Sequence, residues 1–373
     1  MRSLGLYIHI PFCATKCSYC DFPSWAGCMG HRPAYVQALV EEITQRGEQM
    51  GRPYADTVFI GGGTPSLLTP PQMEQVLQAL RRSFCLDPAA EFSCEANPGA
   101  LSAGMLKVLM DGGVNRLSLV AQAADAALLQ LLGRRHTWYQ VEEAVAAARE
   151  AGFTNINLDL MLGIPTQTMD IWRQTLEQAL ALQPTHLSCY GLIVEEGTIL
   201  AARIEAGVWT LPDEDTERRL YDYTLTRLEQ AGFQQYEISN FARPGRQCLH
   251  NLHCWQRQDY LGFGCAAHGL EGAGTLRRQN PSTLAGYLAG EQPRFQPIGA
   301  EEAMFESLML GLRLTRGLDL EAFEAMHGQR FEAVWEQQAE NSLSRGLTAL
   351  EQGHFRLTRQ GMDVMNTVLL DFM

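Results

Sequence analysis

The sequence predicts an α/β protein: a partial TIM-type barrel of about six βα units, followed by a C-terminal helical, winged-helix-like domain. Three observations carry that prediction. Short β-rich runs alternate with amphipathic stretches from the start, which reads as parallel strands joined by helical crossovers. Six such units fit within residues 4–194, with a doubly wound sheet as the rival arrangement. After Val194 the alternation loses regularity, and a helix-rich pattern resumes from about residue 298.

The strands are expected at Leu4–Ile10, Thr57–Ile60, Glu91–Glu95, Arg116–Gln122, Asn155–Leu162 and His186–Val194. Between them, Ala34–Gln49, Gln72–Phe84, Tyr139–Ala151 and Ile171–Leu182 place apolar residues at helical spacing, and Pro71 suits a first helical turn. A further helix is expected at Asp213–Gln230 and a strand at Gln235–Phe241. Leu261–Gln279, rich in glycine, reads as loop or cap, and Pro281–Pro297 as a linker. Helices at Ala303–Leu314, Leu320–Met326 and Phe331–Arg345 then precede a hairpin over Leu347–Leu357. The resulting division is 1–235 for the barrel, 236–297 for a barrel-closing segment and 298–373 for the C-terminal domain.

Composition narrows the function. With 29 Lys+Arg against 42 Asp+Glu the chain carries a formal charge of −13, which argues against holding large nucleic acids by bulk electrostatics. Charged residues are 19% of the chain against about 25% in typical domains, so a large interior is expected rather than charged tails. No run of about 18 apolar residues occurs, and the opening MRSLGLYIHIPFC is too short for a signal core; a cytoplasmic protein is expected. Of 10 cysteines, Cys13, Cys17 and Cys20 fall together in a chain too large to need disulfide staples. Metal or redox chemistry is the better reading. The other seven read mostly as small buried hydrophobes.

Cys13-Ala-Thr-Lys-Cys17-Ser-Tyr-Cys20 follows the first strand directly. A structural zinc site wants four ligands, usually in separated pairs, and no second pair follows; a zinc completed by a distant His is the alternative. Three thiolates on a 4Fe-4S cluster leave one iron open to a cofactor. In radical-SAM chemistry that iron chelates the amino and carboxylate groups of S-adenosylmethionine (SAM), and the reduced cluster donates an electron into the sulfonium bond. Methionine and a 5′-deoxyadenosyl radical result. After the second strand, Gly61-Gly62-Gly63-Thr64-Pro65 lets backbone approach a zwitterionic guest, or forms a plain tight turn. Glu95, Gln122 and Asp159 sit at the same end of later strands, where barrels keep their active sites. The carboxylates can accept from ribose hydroxyls or an amino group, and Arg134 can meet a carboxylate; structural ion pairs are the competing explanation.

LYIHIPFCATKCSYCDF, FIGGGTPSLL, SCEANP, LGRRHT and NLDLMLGIPTQT resemble the oxygen-independent coproporphyrinogen III oxidase superfamily of radical-SAM proteins, over nearly the whole chain. The oxidase proper carries a fourth Cys two residues after the third; here the run is Cys20-Asp21-Phe22, so the chain resembles the HemW-type heme-chaperone branch. That resemblance implies a cluster on Cys13, Cys17 and Cys20, and SAM contacts from Tyr7, Tyr19, Gly62, Gly63, Thr64, Glu95, Gln122, Arg134 and Asp159. Val120 stands where the family has glycine. Leu249-His250-Asn251-Leu252-His253-Cys254-Trp255 resembles the branch's HNxxYW heme motif, with Cys254 in place of Tyr and His250 as axial-ligand candidate. His253 and Cys254 are alternative ligands, and a loop-anchoring role for His250 and Trp255 is the plainer one. The implied function is to bind heme and pass it to acceptor proteins, with peripheral membrane association through a partner. An electron donor such as flavodoxin or ferredoxin is implied if SAM is cleaved. The alternative is a radical-SAM oxidoreductase acting on a tetrapyrrole; a tRNA-modifying enzyme is a third reading, disfavoured by charge.

Overall fold

A computed structural model describes residues 4–373; the first three residues of the expected 1–235 unit lie outside the described residues. Strands β1 (Gly5–Ile10), β2 (Tyr54–Gly62), β3 (Cys85–Ala96), β4 (Arg116–Gln122), β5 (Asn155–Leu162) and β6 (His186–Gly191) stand side by side in chain order, each parallel to the next. Helices α1 (Arg32–Gln49), α2 (Pro70–Ser83), α3 (Ala103–Asp111), α4 (Ala126–Leu131), α5 (Trp138–Glu150) and α6 (Met169–Ala181) lie in the crossovers; α7 (Ile199–Glu205) and α8 (Glu214–Gln230) follow β6. Local sequence explains these boundaries. Thr69 with Gln72 and Thr137 with Gln140 form capping boxes at the starts of α2 and α5. In α2, Met73, Val76, Leu77 and Leu80 then fall on one face and are buried against the sheet.

The main sheet continues with β7 (Gln234–Gln235), β8 (Asn240–Ala242), β9 (Tyr260–Phe263), β10 (His268–Glu271), β11 (Leu276–Gln279) and β12 (Arg294–Pro297). Its twelve strands run in the order β12-β11-β10-β9-β1-β2-β3-β4-β5-β6-β8-β7, so the barrel is open between β12 and β7. β9 adds a seventh parallel strand on the free side of β1. The expected loop over Leu261–Gln279 is therefore three strands. Glycine concealed them: a Cβ on Gly262 would stand 1.9 Å from the His268 carbonyl oxygen, so the close pairing of β9 with β10 requires the residue that weakens a strand signal. The expected linker Pro281–Pro297 likewise contains β12 and a helix at Leu284–Leu288. The strand expected over Gln235–Phe241 is a hairpin, because Glu237 Oε1 accepts from the Ser239 amide at 2.9 Å and from Asn240 Nδ2 at 2.6 Å and turns the chain. The expected sixth strand stops at Gly191 rather than Val194.

Between β8 and β9, residues Leu249–Trp255 form a short helix, α9; Leu284–Leu288 is α10. The core under the parallel strands extends to Phe263 and Tyr287, so β9 and α10 belong to it. The C-terminal part comprises α11 (Ala300–Gly311), α12 (Leu320–His327), α13 (Phe331–Ser344), a small antiparallel sheet of β13 (Leu318–Asp319), β14 (Thr348–Glu351) and β15 (His354–Leu357), and the short helices α14 (Arg359–Asp363) and α15 (Met365–Leu370). It buries its own aromatic cluster of Phe323, Phe331, Trp335, Phe355 and Phe372. Helices with a small hairpin sheet match the winged-helix-like expectation. Among the described residues, no helix is long and apolar enough to cross a membrane.

Candidate functional site

Parallel strands present alternate residues to one face, and here the cavity-facing positions are polar. Ser93 pairs with Arg116, Ser118 with Asn157, and Asp159 with Ser188 across β3 to β6. Of these, Arg116, Ser118, Asn157, Asp159 and Ser188 form part of the wall of a cavity of about 970 Å³ at the carboxyl ends of the strands. Every residue expected from the sequence to hold cluster or SAM lines this one cavity, as do His250 and Cys254; the alternative heme ligand His253 does not, its Nε2 lying 2.7 Å from Asp259 O instead.

The loop after β1 brings Cys13, Cys17 and Cys20 to the rim, each half-buried. Ser18 fixes its far side, donating from its amide to Leu132 O at 3.0 Å and from its hydroxyl to Leu131 O at 2.9 Å. The Lys16 ammonium folds back on the Phe22 carbonyl and on Ser24 Oγ, at 3.1 Å from the latter. Arg134 Nη1 points at Cys17 Sγ at 3.4 Å, a cation placed beside a sulfur that must be a thiolate to ligate. Burial dominates at Cys20, raising its thiol against the lowering effect of Lys16. Among the described residues no three His, Cys, Asp or Glu side chains converge on a single-ion position. A cuboidal cluster spreads three thiolates over three irons and does not need that convergence.

The glycine run is a cradle that side chains would fill. A Cβ on Gly63 would stand 2.8 Å from Phe12 O, and one on Gly62, whose φ is +110°, would meet the His9 ring at 2.5 Å. The Gly62 amide donates to Glu95 Oε2 at 3.1 Å, and Thr64 Oγ1 lies 3.9 Å from Cys13 Sγ. His9 Nε2 donates to Pro23 O at 2.8 Å, which leaves Nδ1 to accept from Tyr7 OH at 2.9 Å and orients the Tyr7 ring. Burial, then the charge on Asp159, hold the Glu95 carboxyl up to about 8 despite the Gly62 amide and Arg116. Asp159 is also raised by burial, although Asn157 and Ser118 donate to it at 2.8 and 3.2 Å.

At the end of β4 the pairing with β5 shifts register between Val120 and Gln122, and Gln122 takes a left-handed φ of 64°. This bulge turns Gln122 inward, where its Nε2 donates to Tyr19 OH at 3.0 Å. Val120, in the place of glycine, donates nothing from its side chain, but its carbonyl accepts from Arg134 Nη2 at 3.2 Å. Gln122 and Arg134 thus reach the cavity with valine present. Gln122 Oε1 and Arg134 Nε are buried without a partner, as is Nδ1 of the neighbouring His136. All three residues line the cavity, whose polar lining fits a polar guest.

On the opposite wall, α9 presents His250 and Cys254 one helical turn apart. His250 is stacked on Phe59, with ring centroids 5.4 Å apart, and its Nδ1 lies 3.1 Å from Thr57 Oγ1. Burial, followed by His253 and Arg116, pushes its pKa down to about 3, so the imidazole is neutral. Burial raises the Cys254 thiol to about 12. The buried carboxylate of Glu91 accepts from the amides of Leu249 and His250 at 3.0 and 3.1 Å and fixes the start of α9. The C-terminal part grips the other end: the Arg313 guanidinium sits 4.4 Å from the Trp255 ring centre, and Glu306 binds Arg257 at 2.9 Å.

Sequence reasoning passed over Arg116, Glu91, His136 and Asn157, all of which lie at or beside the cavity. A signal for three of them was present: Glu91-Ser93-Glu95, Arg116-Ser118 and Asn157-Asp159 are polar at every second position within strands.

Parallel β/α units with three cysteines after the first strand and a glycine cradle after the second define the radical SAM class. The sequence matches the Radical SAM superfamily over residues 7–179 and the HemN C-terminal domain over residues 298–364. The heme chaperone HemW of Lactococcus lactis is 35% identical, with 98% of this chain and 96% of that protein covered. The heme chaperone HemW of Bacillus subtilis is 36% identical over 98% of both. The solved structure of coproporphyrinogen III oxidase (HemN) from Escherichia coli, a radical SAM enzyme, superposes with a TM-score of 0.85 at 25% identity, covering 100% of this chain and 90% of that one. The chain belongs to the HemW family of radical SAM proteins. Membership implies a 4Fe-4S cluster and SAM.

Proposed function

We propose that this protein is a heme chaperone that binds heme in the cavity and passes it to acceptor proteins. One observation carries the reading: a single cavity of about 970 Å³ holds the three-cysteine rim on one side and His250 on the other. That volume is at the upper end of the roughly 300–1,000 Å³ of small-molecule sites, as a tetrapyrrole beside a second cofactor requires.

Cys13, Cys17 and Cys20 would hold the cluster, and the Gly62–Gly63–Thr64 edge with Tyr7, Tyr19, Glu95, Gln122, Arg134 and Asp159 would hold SAM. When bound and reduced, the cluster supplies one-electron chemistry on SAM; flavodoxin or ferredoxin is the class of donor in that case. The chain's own part is positional. Arg134 holds a guanidinium against the Cys17 sulfur, Tyr7 is oriented by His9, and Thr57 and Phe59 orient the neutral His250 ring as the heme ligand. A partner would supply any contact with a membrane. A second reading, a radical-SAM oxidoreductase on a tetrapyrrole, is favoured by the full-length likeness to the oxidase. Against it stands Cys20-Asp21-Phe22, which lacks the oxidase's fourth cysteine.

The test is anaerobic reconstitution with iron and sulfide, then heme addition with and without SAM, recording the Soret band and assaying methionine and 5′-deoxyadenosine. Stoichiometric heme uptake that His250→Ala reduces at least tenfold, with little SAM cleavage, is the expected result. Substantial cleavage without heme uptake would replace the chaperone with the oxidoreductase.

A further inference from the structure

Asp159, at the SAM end of the cavity, and α9, which carries His250, are joined by buried side chains. Asp159 Oδ1 accepts from Asn157 Nδ2 at 2.8 Å, and Asn157 Oδ1 lies 2.6 Å from His186 Nδ1. His186 Nε2 lies 2.8 Å from the Tyr236 hydroxyl. That hydroxyl accepts, at 3.3 Å, from the amide of Cys248, the N-cap residue of α9. Neither His186 nor Tyr236 touches the cavity, and His186 is wholly buried.

The chain has one polarity. Asn157 Nδ2 donates to Asp159 and, at 2.8 Å, to Ser118 Oγ; the opposite amide orientation would set a carbonyl oxygen against a carboxylate. Asn157 Oδ1 is therefore the acceptor facing His186, so His186 carries its proton on Nδ1 and accepts on Nε2 from Tyr236. Every donor points toward Asp159. Glu91 holds the same first turn of α9 from the other side, through Leu249, His250 and the Cys248 thiol at 3.3 Å. The start of α9 is thus suspended between two anchors, one of which ends on a carboxylate of the SAM pocket.

We infer that His186 and Tyr236 are positioning residues that link occupancy of the Asp159 site to the placement of α9, so that SAM and heme bind interdependently. The inference rests on the cofactor reading above. A guest hydroxyl or ammonium that donates to Asp159 competes with Asn157 and Ser118 for its lone pairs. The relaxed bond from Asn157 is passed through His186 to Tyr236, and so to the N-cap of α9. Such a link is reciprocal: SAM alters heme affinity by the factor by which heme alters SAM affinity.

Tyr236→Phe keeps the ring and removes the hydroxyl that makes both links. The experiment uses the full chain with its cluster reconstituted. It measures SAM affinity by equilibrium dialysis, heme affinity by Soret titration with and without SAM, and amide exchange over residues 248–255 with and without SAM. In the unaltered protein SAM is expected to hasten exchange in α9 and to change heme affinity about fivefold or more. In Tyr236→Phe, SAM is expected to bind within about twofold of normal while both responses fall below about twofold. Should Tyr236→Phe fold poorly, His186→Asn breaks the chain at its centre, being too short to reach the Tyr236 hydroxyl. Equal responses in variant and unaltered protein, or SAM binding that moves neither α9 nor heme affinity, would overturn the link and leave the cofactor reading standing. Failure of the unaltered protein to bind SAM would overturn the cofactor reading, and the link with it.

Discussion

The two walls of the cavity are finished differently. At the cluster-loop wall, Gln122 Oε1, Arg134 Nε and His136 Nδ1 are buried without partners. At the α9 wall Trp255 Nε1 also lacks a partner, but Glu91 takes the first two amides of the helix, and Thr57 and Phe59 hold the His250 ring. An unpaired buried polar atom costs roughly 1–3 kcal/mol, so a polar guest whose binding lets these atoms find partners would stabilise the first wall. The second wall is already organised and gains selectivity instead. One cavity therefore combines a ligand-completed half with a preformed half.

Cys17→Ser makes the largest break between the halves. It removes a rim thiolate, and iron content and the cluster absorption are expected to fall to background after reconstitution. Without SAM, amide exchange over α9 should stay within about twofold of the unaltered protein, because no anchor of α9 passes through the rim. Exchange that rises across α9 in this variant would mean that the walls are not independently built.

Glu91→Ala attacks the preformed wall. It strips the acceptor from two amides and the Cys248 thiol inside the barrel, and a loss of about 3 kcal/mol in denaturant unfolding is expected. Glu91→Gln keeps one acceptor and should cost about 1 kcal/mol. A neutral result for both would show that α9 is held chiefly from its Trp255 end by Arg313.

These two variants also mark what the sequence could disclose. Cys13, Cys17 and Cys20, the Gly62–Thr64 edge and the strand-end residues Glu95, Gln122 and Asp159 were legible because each ligand group occupies a short contiguous run at a strand end. The polar alternation Glu91-Ser93-Glu95 marked Glu91 as inward-facing, but its task was hidden, since it accepts from Leu249 and His250, far along the chain, and no local pattern announces that pairing. The strands β9 to β11 were hidden by the glycines that let them pack closely. The bulge at Gln122 was hidden as well, because the departure from glycine at Val120 signals change there without giving its direction.

The third test uses pH on the ligand-completed wall. Glu95 is held up to about 8 from an ordinary 4.5, so between those values the folded chain retains a proton that the unfolded chain has released. Stability must then fall as pH rises through that window, by at most about 1.4 kcal/mol per unit for one proton. Glu95→Gln should flatten the slope, measured as unfolding free energy from pH 5 to 8. SAM, which carries cationic ammonium and sulfonium groups, favours the ionised carboxylate and should flatten it too. A slope unchanged in Glu95→Gln would move the titrating proton to Asp159.

The smallest expected effect separates two side chains on the preformed wall. His250 and Cys254 lie one turn apart on the same face of α9, so they cannot take opposite faces of one heme plane, and one of them must be the main ligand. The imidazole ligates in its neutral form and is already oriented by Thr57, whereas the thiol must lose a proton inside a buried pocket before it can bind iron well. Cys254→Ser keeps the size and removes the sulfur. It is expected to leave heme affinity within about twofold and the Soret maximum in place, in contrast to the loss in His250→Ala. A Soret band that moves in Cys254→Ser and not in His250→Ala would assign ligation to the sulfur. The cysteine in place of the motif's tyrosine would then be what sets this chain's heme chemistry apart from that of its relatives.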